Sequence, residues 1–584
     1  MKFLRLLPFL ALGLAPLAAA EESFDAFLDR FTADWVRHEP QLATEIQYFT
    51  GAEQDTLDRR LTPVTAAFQQ DKAVRARAGL AALAKFDRTK LTPTQRISAA
   101  MFEWQLKDFI GDAQFDDYRY PLEQFNGAQG DVLSFLNNSH AIRNPRDAEN
   151  YLARLEQIPQ LIDDLITEAR AKEAKGVLPP RFIIDSTVSQ MERFVAPEPA
   201  ANLLVVSLAT RTADLKDLPT DRRAEFIATA ERLVRDAIVP AYRRAIALLQ
   251  EQRPRATDVA GIGRFPDGAR AYAHHLRKFT TTDLTPEQVH QTGLREVAAI
   301  EKEMDILLAS LGFKQGTIKE RYAALEASLQ PPDTEESRAK LIAEYTRIVR
   351  DAEQRCAVMF DLLPKAPVDV RREPEFSEKT AAAHYTLPAK DGSRPGIFWA
   401  PLPGPVFPIV SMRSLSYHEA VPGHHFQCAI QAEMTDLPRF RSDAVFGFIS
   451  SHGEGWALYA ERLAAEGGWY EGDTVGRIGQ LNSSLHRARR LVVDTGIHVK
   501  GWTRQQVIDF GLSPAETERY VVWPGQACAY KIGELKILDL REKAKAALGP
   551  KFSIKEFHNV VLRAGGVPLG VLETVVDEWV TAQR

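Results

Sequence analysis

Cysteine is scarce: Cys356, Cys428 and Cys528 are the only three in 584 residues. That count excludes a disulfide framework. One bond, Cys428 with Cys528, and three free buried thiols are the two readings left open. No run of lysine and arginine forms a basic block, and the formal net charge is −5. Nothing therefore points to a nucleic-acid partner. After the N-terminal segment no stretch is apolar enough to span a bilayer, so no membrane span is expected. No internal repeat is visible.

The N-terminal segment itself is distinctive. Lys2 and Arg5 precede an apolar run from Leu6 to Ala20, which ends in Ala18-Ala19-Ala20. This is the pattern of a secretory signal peptide, residues 1–20, cut after Ala20. The run is too short for a stable span, and no cysteine at the cut invites a lipid anchor. The mature chain is expected to be exported, to a periplasm if the source is Gram-negative. Its oligomeric state is not readable from the sequence.

Most of the mature chain has helical periodicity. Phe24, Phe27, Leu28, Phe31 and Trp35 recur at three- and four-residue intervals between Ser23 and Val36. Thr92-Pro93, Asn144-Pro145 and Thr285-Pro286 are helix starts, a capping residue followed by proline in the first turn. The second is expected to open a helix over 148–175, closed by Gly176. Residues 220–252 form one long periodic stretch, and 253–268 are a Pro- and Gly-rich connector. Helices are expected to continue to about Leu363. Residues 364–408 are rich in proline and glycine, with Gly396–Ala400 as a short strand, and helices return from Ser411. The expected fold is mainly α, large and helical, with a small β element near a cleft. An N-terminal helical region (21–363) and a catalytic region (364–584) would flank that cleft.

The unusual chemistry lies in His418-Glu419-Ala420-Val421-Pro422-Gly423-His424-His425. A catalytic zinc takes three protein ligands and keeps one position open. The familiar helical solution places two histidines four residues apart with a glutamate after the first. Here Pro422 occupies the second position. At about 100° and 1.5 Å per residue, His424 would point roughly 120° away from His418 on a straight helix, and His425 would sit roughly 10 Å along the axis. A ligand pair therefore needs a deformed helix. Pro422 supplies a cause, because it lacks an N–H and clashes with the carbonyl four residues back. A widened turn that absorbs two residues brings in His424, the preferred ligand; absorbing three brings in His425, the alternative. The competing reading is a helix that simply ends at Pro422-Gly423 with ordinary surface histidines. Three of the chain's thirteen histidines and a glutamate within eight residues weigh against it.

Glu454, at the start of the apolar stretch Gly453–Glu461, is the candidate third ligand, and Glu461 two turns on is a supporting or solvated carboxylate. His486, Arg490, Asp494 and His498, four residues apart, form one stripe on a helix over about 476–499. The plain reading of that stripe is an internal ion-pair ladder. The functional one is a polar cleft wall, with Asp494 orienting a ligand histidine and Arg490 or His498 holding a substrate carboxylate or carbonyl. In Trp523–Gly533, Tyr530 is the candidate oxyanion donor, with His498 as the other, and Gln526 is a further residue for the substrate or for support of the site.

Those segments together resemble the bacterial family catalogued as domain of unknown function 885, over almost the whole mature chain. The strongest pieces are His418–His425, Glu454–Glu461, Arg490–His498, and Pro524-Gly525-Gln526-Ala527 with Tyr530. The resemblance implies a mostly helical protein, similar in layout to zinc peptidases of the neurolysin, angiotensin-converting enzyme and thermostable carboxypeptidase types. Dipeptidyl peptidase III-like enzymes, which tolerate an extra residue between the histidines, make the insertion credible. The expected function is then hydrolysis of short peptides with one zinc ion held by His418, His424 and Glu454. Glu419 is the general base, and the strand at Ile397–Ala400 is available to pair with the peptide. An amidase acting on modified peptides or cell-wall fragments, and a non-catalytic peptide-binding protein with a vestigial site, are the alternatives.

Overall fold

The computed structural model describes residues 22–378, 381–389, 392 and 394–584; the signal-peptide expectation lies outside them. The chain is mainly helical with one three-stranded sheet. No helix among the described residues is long and apolar enough to cross a membrane.

Helix starts follow local chemistry. Thr92 and Thr285 each accept the backbone N–H three residues on, while Gln95 and Gln288 reach back to the cap, and proline fills the first turn. Each reciprocal pair satisfies donors that a bare helix end leaves open. Asn144 caps Pro145–Leu155 by accepting the Asp147 N–H, without the return bond. The single helix expected over 148–175 is in fact two, Pro145–Leu155 and Ile158–Ala174, because Pro159 cannot continue the first and suits the opening turn of the second. The stretch over 220–252 is likewise divided. Thr220–Leu233 and Val239–Gln252 are joined by a π turn at Val234–Ile238, just ahead of Pro240. A widened turn is a common response to a proline's missing N–H. The helix before the sheet ends at Cys356, short of Leu363.

The sheet orders as β1 (Val368–Arg372), β3 (Gly396–Ala400), β2 (His384–Thr386), with β1 parallel and β2 antiparallel to β3. β3 is therefore the central strand. The sequence-based idea that Ile397–Ala400 pairs with a peptide does not hold, because both of its edges are already bonded.

Two large hydrophobic clusters organise the interior. One runs from Leu61 to Ala256. The other joins the first helices to the C-terminal half. Trp35 meets Phe446 edge-on at 5.3 Å, and Phe102 meets Phe440 at 5.6 Å. The cysteines are all free: Cys356 and Cys528 are buried and Cys428 is half-buried.

The site is built on helices α1 (Pro286–Ser310), α2 (Met412–Glu419), α3 (His424–Glu433), α4 (Ser450–Glu466), α5 (Thr474–His498) and α6 (Ala529–Leu548). α5 packs along α1. α4 and α6 cross at two glycines: a Cβ added to Gly455 would lie 2.5 Å from the Cα of Gly533. Only residues without side chains let the two backbones come this close, and the crossing sets Glu454 beside the helix that begins with Ala529 and Tyr530.

Candidate metal centre

The segment His418–His425 is a helix, a break and a second helix. α2 stops at Glu419. Ala420 then leaves helical dihedrals (φ −109°, ψ −98°), the Val421–Pro422 peptide is cis, and α3 begins at His424. Pro422 has no N–H to offer the His418 carbonyl, so the helix cannot run on. Gly423 then folds against the carbonyls of Tyr417 and His418, where any Cβ would collide. The indole of Trp456 on α4 donates to the Pro422 carbonyl at 2.9 Å and ties the break to the neighbouring helix. The expected distortion is thus at Pro422-Gly423, but it is a full break rather than a widened turn.

The change of direction sets the ring of His424 4.9 Å from that of His418, at 85° to it. His425 turns the other way: its Nδ1 bonds the hydroxyl of Tyr385 on β2 at 2.9 Å, and burial pushes its pKa down to about 4. It stands outside the cluster.

Glu454, in the second turn of α4, completes a group of three. Its Oε2 lies 3.5 Å from Nε2 of His418 and 3.5 Å from Nε2 of His424. The three donor atoms all fall within 4.8 Å of one another. Zinc–ligand bonds of about 2.0–2.1 Å at tetrahedral angles separate donor atoms by roughly 3.4 Å, so the two carboxylate–imidazole distances are close to those of a filled site. Glu461, two turns along α4 and fully buried, accepts from Nδ1 of His418 at 2.8 Å and from the Ser414 hydroxyl. With Nδ1 held by Glu461, His418 presents Nε2 toward Glu454 and His424, the orientation that outer carboxylates impose on metal-ligating histidines.

The electrostatics favour a cation. Burial works against ionising Glu454, yet His418 and His424 hold its carboxyl well below the usual range. Burial also opposes charge on His418, but Glu454 and Glu461 outweigh it and lift that imidazole to about 9. Glu419 differs: burial dominates and raises its pKa, against the pull of His418, His424 and Arg487. Its side chain makes no hydrogen bond or ion pair among the described residues.

The stripe on α5 divides into separate contacts. Arg490 donates to the Tyr520 hydroxyl and the Glu516 carboxylate, each at 2.9 Å, and His486 lies 3.7 Å from the same carboxylate. Asp494 accepts from the Tyr272 hydroxyl at 2.6 Å and the Gly525 N–H at 3.0 Å. It does not orient a histidine of the three-donor group; Glu461 does, through His418. His498 accepts the Ile262 N–H at 3.1 Å and meets the Tyr520 carbonyl through Nε2 at 3.0 Å. Both its ring nitrogens are held by backbone, so it cannot serve an oxyanion, and its role is to fasten the 261–264 connector to α5. Gln526 bonds Ser450 Oγ at 3.2 Å and accepts from Arg519 at 2.8 Å, steadying the start of α4. Tyr530 is half-buried, its ring 4.6 Å from the Arg490 guanidinium and 5.9 Å from that of Arg487.

Sequence reasoning overlooked Arg487 and Ser414. Arg487 sits one position off the stripe, and only helix packing shows that it shares a cavity wall with His418 and Glu461. A second acidic group, Asp108, Asp112 and His274, also brings its donors within 4.8 Å. Its centre is served by Lys278, whose ammonium lies 3.1 Å from Asp108 and pairs with Asp112.

A family model described as bacterial protein of unknown function, DUF885, matches residues 40–576. No curated protein matches the chain. Among solved structures it is similar to a "putative lipoprotein" from Colwellia psychrerythraea, 29% identical with a TM-score of 0.89, over 96% of this chain and 100% of that one. It is also similar to a "putative lipoprotein of unknown function" from Shewanella oneidensis, 21% identical with a TM-score of 0.73, over 95% and 99% of the two chains. The second likeness shows the fold alone.

Proposed function

We propose that this chain, which belongs to the bacterial family DUF885, is an exported zinc-dependent peptidase that cuts short peptides. The reading rests on one observation above all: His418, His424 and Glu454 converge at the spacing of a tetrahedral ion, with His418 fixed from behind by Glu461. Two imidazoles and a carboxylate are a donor set of catalytic zinc. Export is supported by the basic-then-apolar start of the sequence and by the description of the similar Colwellia psychrerythraea structure as a "putative lipoprotein". A periplasmic location is part of the proposal.

Zinc held there would supply Lewis acidity toward a peptide carbonyl and acidify a nearby water. The chain's own groups do the rest. Glu419, buried and unpaired beside His418, takes the proton as water adds to the carbonyl carbon and delivers it to the amide nitrogen as the C–N bond breaks. Its raised pKa suits both directions of transfer. Tyr530 is the donor assigned to the developing oxyanion, steadied by Arg490 and Arg487 around its ring.

The test is a peptide library digested by the full chain and read by mass spectrometry. Zinc-loaded protein is expected to cleave, chelated protein to be inert, and added zinc to restore activity. Glu419→Gln should keep its zinc and lose roughly 10²-fold or more in kcat. Stoichiometric zinc without any cleavage, or cleavage indifferent to the chelator, contradicts the reading.

A further inference from the structure

Two arginines of α5, Arg487 and Arg490, have hydrogen-bond donors left over. Arg487 bonds only within its own helix, from Nη1 to the carbonyl and hydroxyl of Ser483 at 3.4 and 2.9 Å. It forms no ion pair among the described residues, and its Nε is buried without a partner. One turn on, Arg490 spends Nε and Nη2 on Tyr520 and Glu516, but its buried Nη1 also lacks a partner of normal hydrogen-bond geometry. The Tyr530 ring lies against both guanidinium groups. Buried donors are seldom left unpaired without a reason, and guanidinium donors are best satisfied by a carboxylate.

Arg487 also lines a cavity of about 350 Å³ whose wall includes His418 and Glu461. That size is at the low end for small-ligand pockets, about 300–1,000 Å³: it suits a residue or two and not a longer chain. Glu461 is the only acid in the wall, and His418 and Ser414 already occupy it. Arg489, also in the wall, is neutralised by Glu301 at 2.8 Å. Two cations in the wall have no ion pair among the described residues; Lys319 is exposed to solvent, so the half-buried charge facing the cavity is that of Arg487. Arg487 and His418 thus face one space, which opens on the Glu461 side of that imidazole.

We infer that this cavity receives the C-terminal end of the peptide, with Arg487 holding the terminal carboxylate, so that the enzyme releases one or two residues from the C-terminus. The inference rests on the peptidase reading for its chemistry but not for its binding test. Arg487 is a specificity-determining residue here. Arg490 is a positioning residue that acts through Tyr530.

The experiment is calorimetric binding to the zinc-loaded Glu419→Gln protein, with three probes: Ala-Ala-Ala as the free acid, the same peptide as its C-terminal amide, and Ala-Ala-Glu amide. The free acid is expected to bind at least about tenfold more tightly than either amide, the scale of one charge-assisted contact. Adding Arg487→Ala should bring acid and amide within about twofold, and Arg487→Lys should keep part of the preference. The lysine variant also carries the test if the alanine variant does not fold. Equal binding of acid and amide, no binding of any probe, or a preference untouched by either substitution overturns the inference. Tight binding of the glutamyl amide also overturns it, by assigning the pocket to an acidic side chain. Cleavage by wild-type protein separates this inference from the one before it. Acid-selective binding without cleavage of any peptide sinks the peptidase reading and leaves this pocket assigned; cleavage without acid selectivity does the reverse.

Discussion

Nδ1 of His418 donates to the Glu461 carboxylate at 2.8 Å, while Nε2 of the same ring faces Glu454, seven residues earlier on the same helix. One helix thus supplies both a candidate ligand carboxylate and the group that aims the His418 ring at it. Positions separated by seven lie nearly above one another on a helix, so the length of α4 sets both sides of the imidazole at once.

In the proposed zinc site Glu461 would control metal affinity without touching the metal. Glu461→Gln keeps an acceptor for His418 but removes the charge that makes the ring a strong ligand. Zinc affinity is expected to fall by about 10- to 100-fold, measured by competition with a chromogenic chelator, with little change in the circular dichroism spectrum. Unchanged affinity would mean that the contact is structural only.

His424 and His425 are neighbours with opposite surroundings, which makes them a matched pair for mutation. His424→Ala is expected to abolish stoichiometric zinc, as read by elemental analysis of dialysed protein. His425→Ala should retain it, because that ring is turned to Tyr385. The reverse pattern would mean that the break at Pro422-Gly423 is folded differently.

The Gly455–Gly533 crossing predicts a stability effect independent of metal. Gly455→Ala puts a methyl 2.5 Å from the facing backbone, which α4 and α6 must separate to admit. Overpacking of this kind costs about 1–3 kcal/mol. Denaturant midpoints of metal-free protein check it, and an unchanged midpoint contradicts the close approach.

Asp494 gives a pH prediction with a definite sign. Burial dominates and lifts its pKa to about 7, although Tyr272 and Gly525 hydrogen-bond to it. An unfolded aspartate titrates near 3.9, so between roughly pH 4 and 7 the folded state holds a proton that the unfolded state has released. Stability must then fall as pH rises through that window. Asp494→Asn, which cannot ionise, should lose this part of the slope and gain on the parent most above pH 7. Parallel stability–pH curves for the two proteins would contradict the assignment.

Much of this arrangement is legible in the sequence. Thr285-Pro286 with Gln288 states a helix start outright, and the bulk of Gly396–Ala400 states a strand. The eight residues from His418, read with Glu454, nominate the three donors that the structure sets together. The illegible part depends on partners distant in sequence. Asp494 and His498 share a face with Arg490, but periodicity does not say that Tyr272, 222 residues away, takes the first or that Ile262 takes the second. Arg487 escapes notice for the same reason. Pro159 and Pro240 divide stretches whose apolar rhythm continues across them, so periodicity alone joins segments that a missing N–H separates. The central place of β3 cannot be read from its own five residues, since its edges are filled by strands that are themselves inconspicuous.

That His418, His424 and Glu454 hold one zinc ion underlies all of the chemistry proposed for this chain. Anomalous diffraction at the zinc edge from crystals of the full chain reads it without any substrate. A single strong peak is expected about 2.0–2.2 Å from Nε2 of His418, Nε2 of His424 and a carboxylate oxygen of Glu454. A zinc-loaded crystal with no peak there, or with its peak at Asp108, Asp112 and His274 instead, would contradict it.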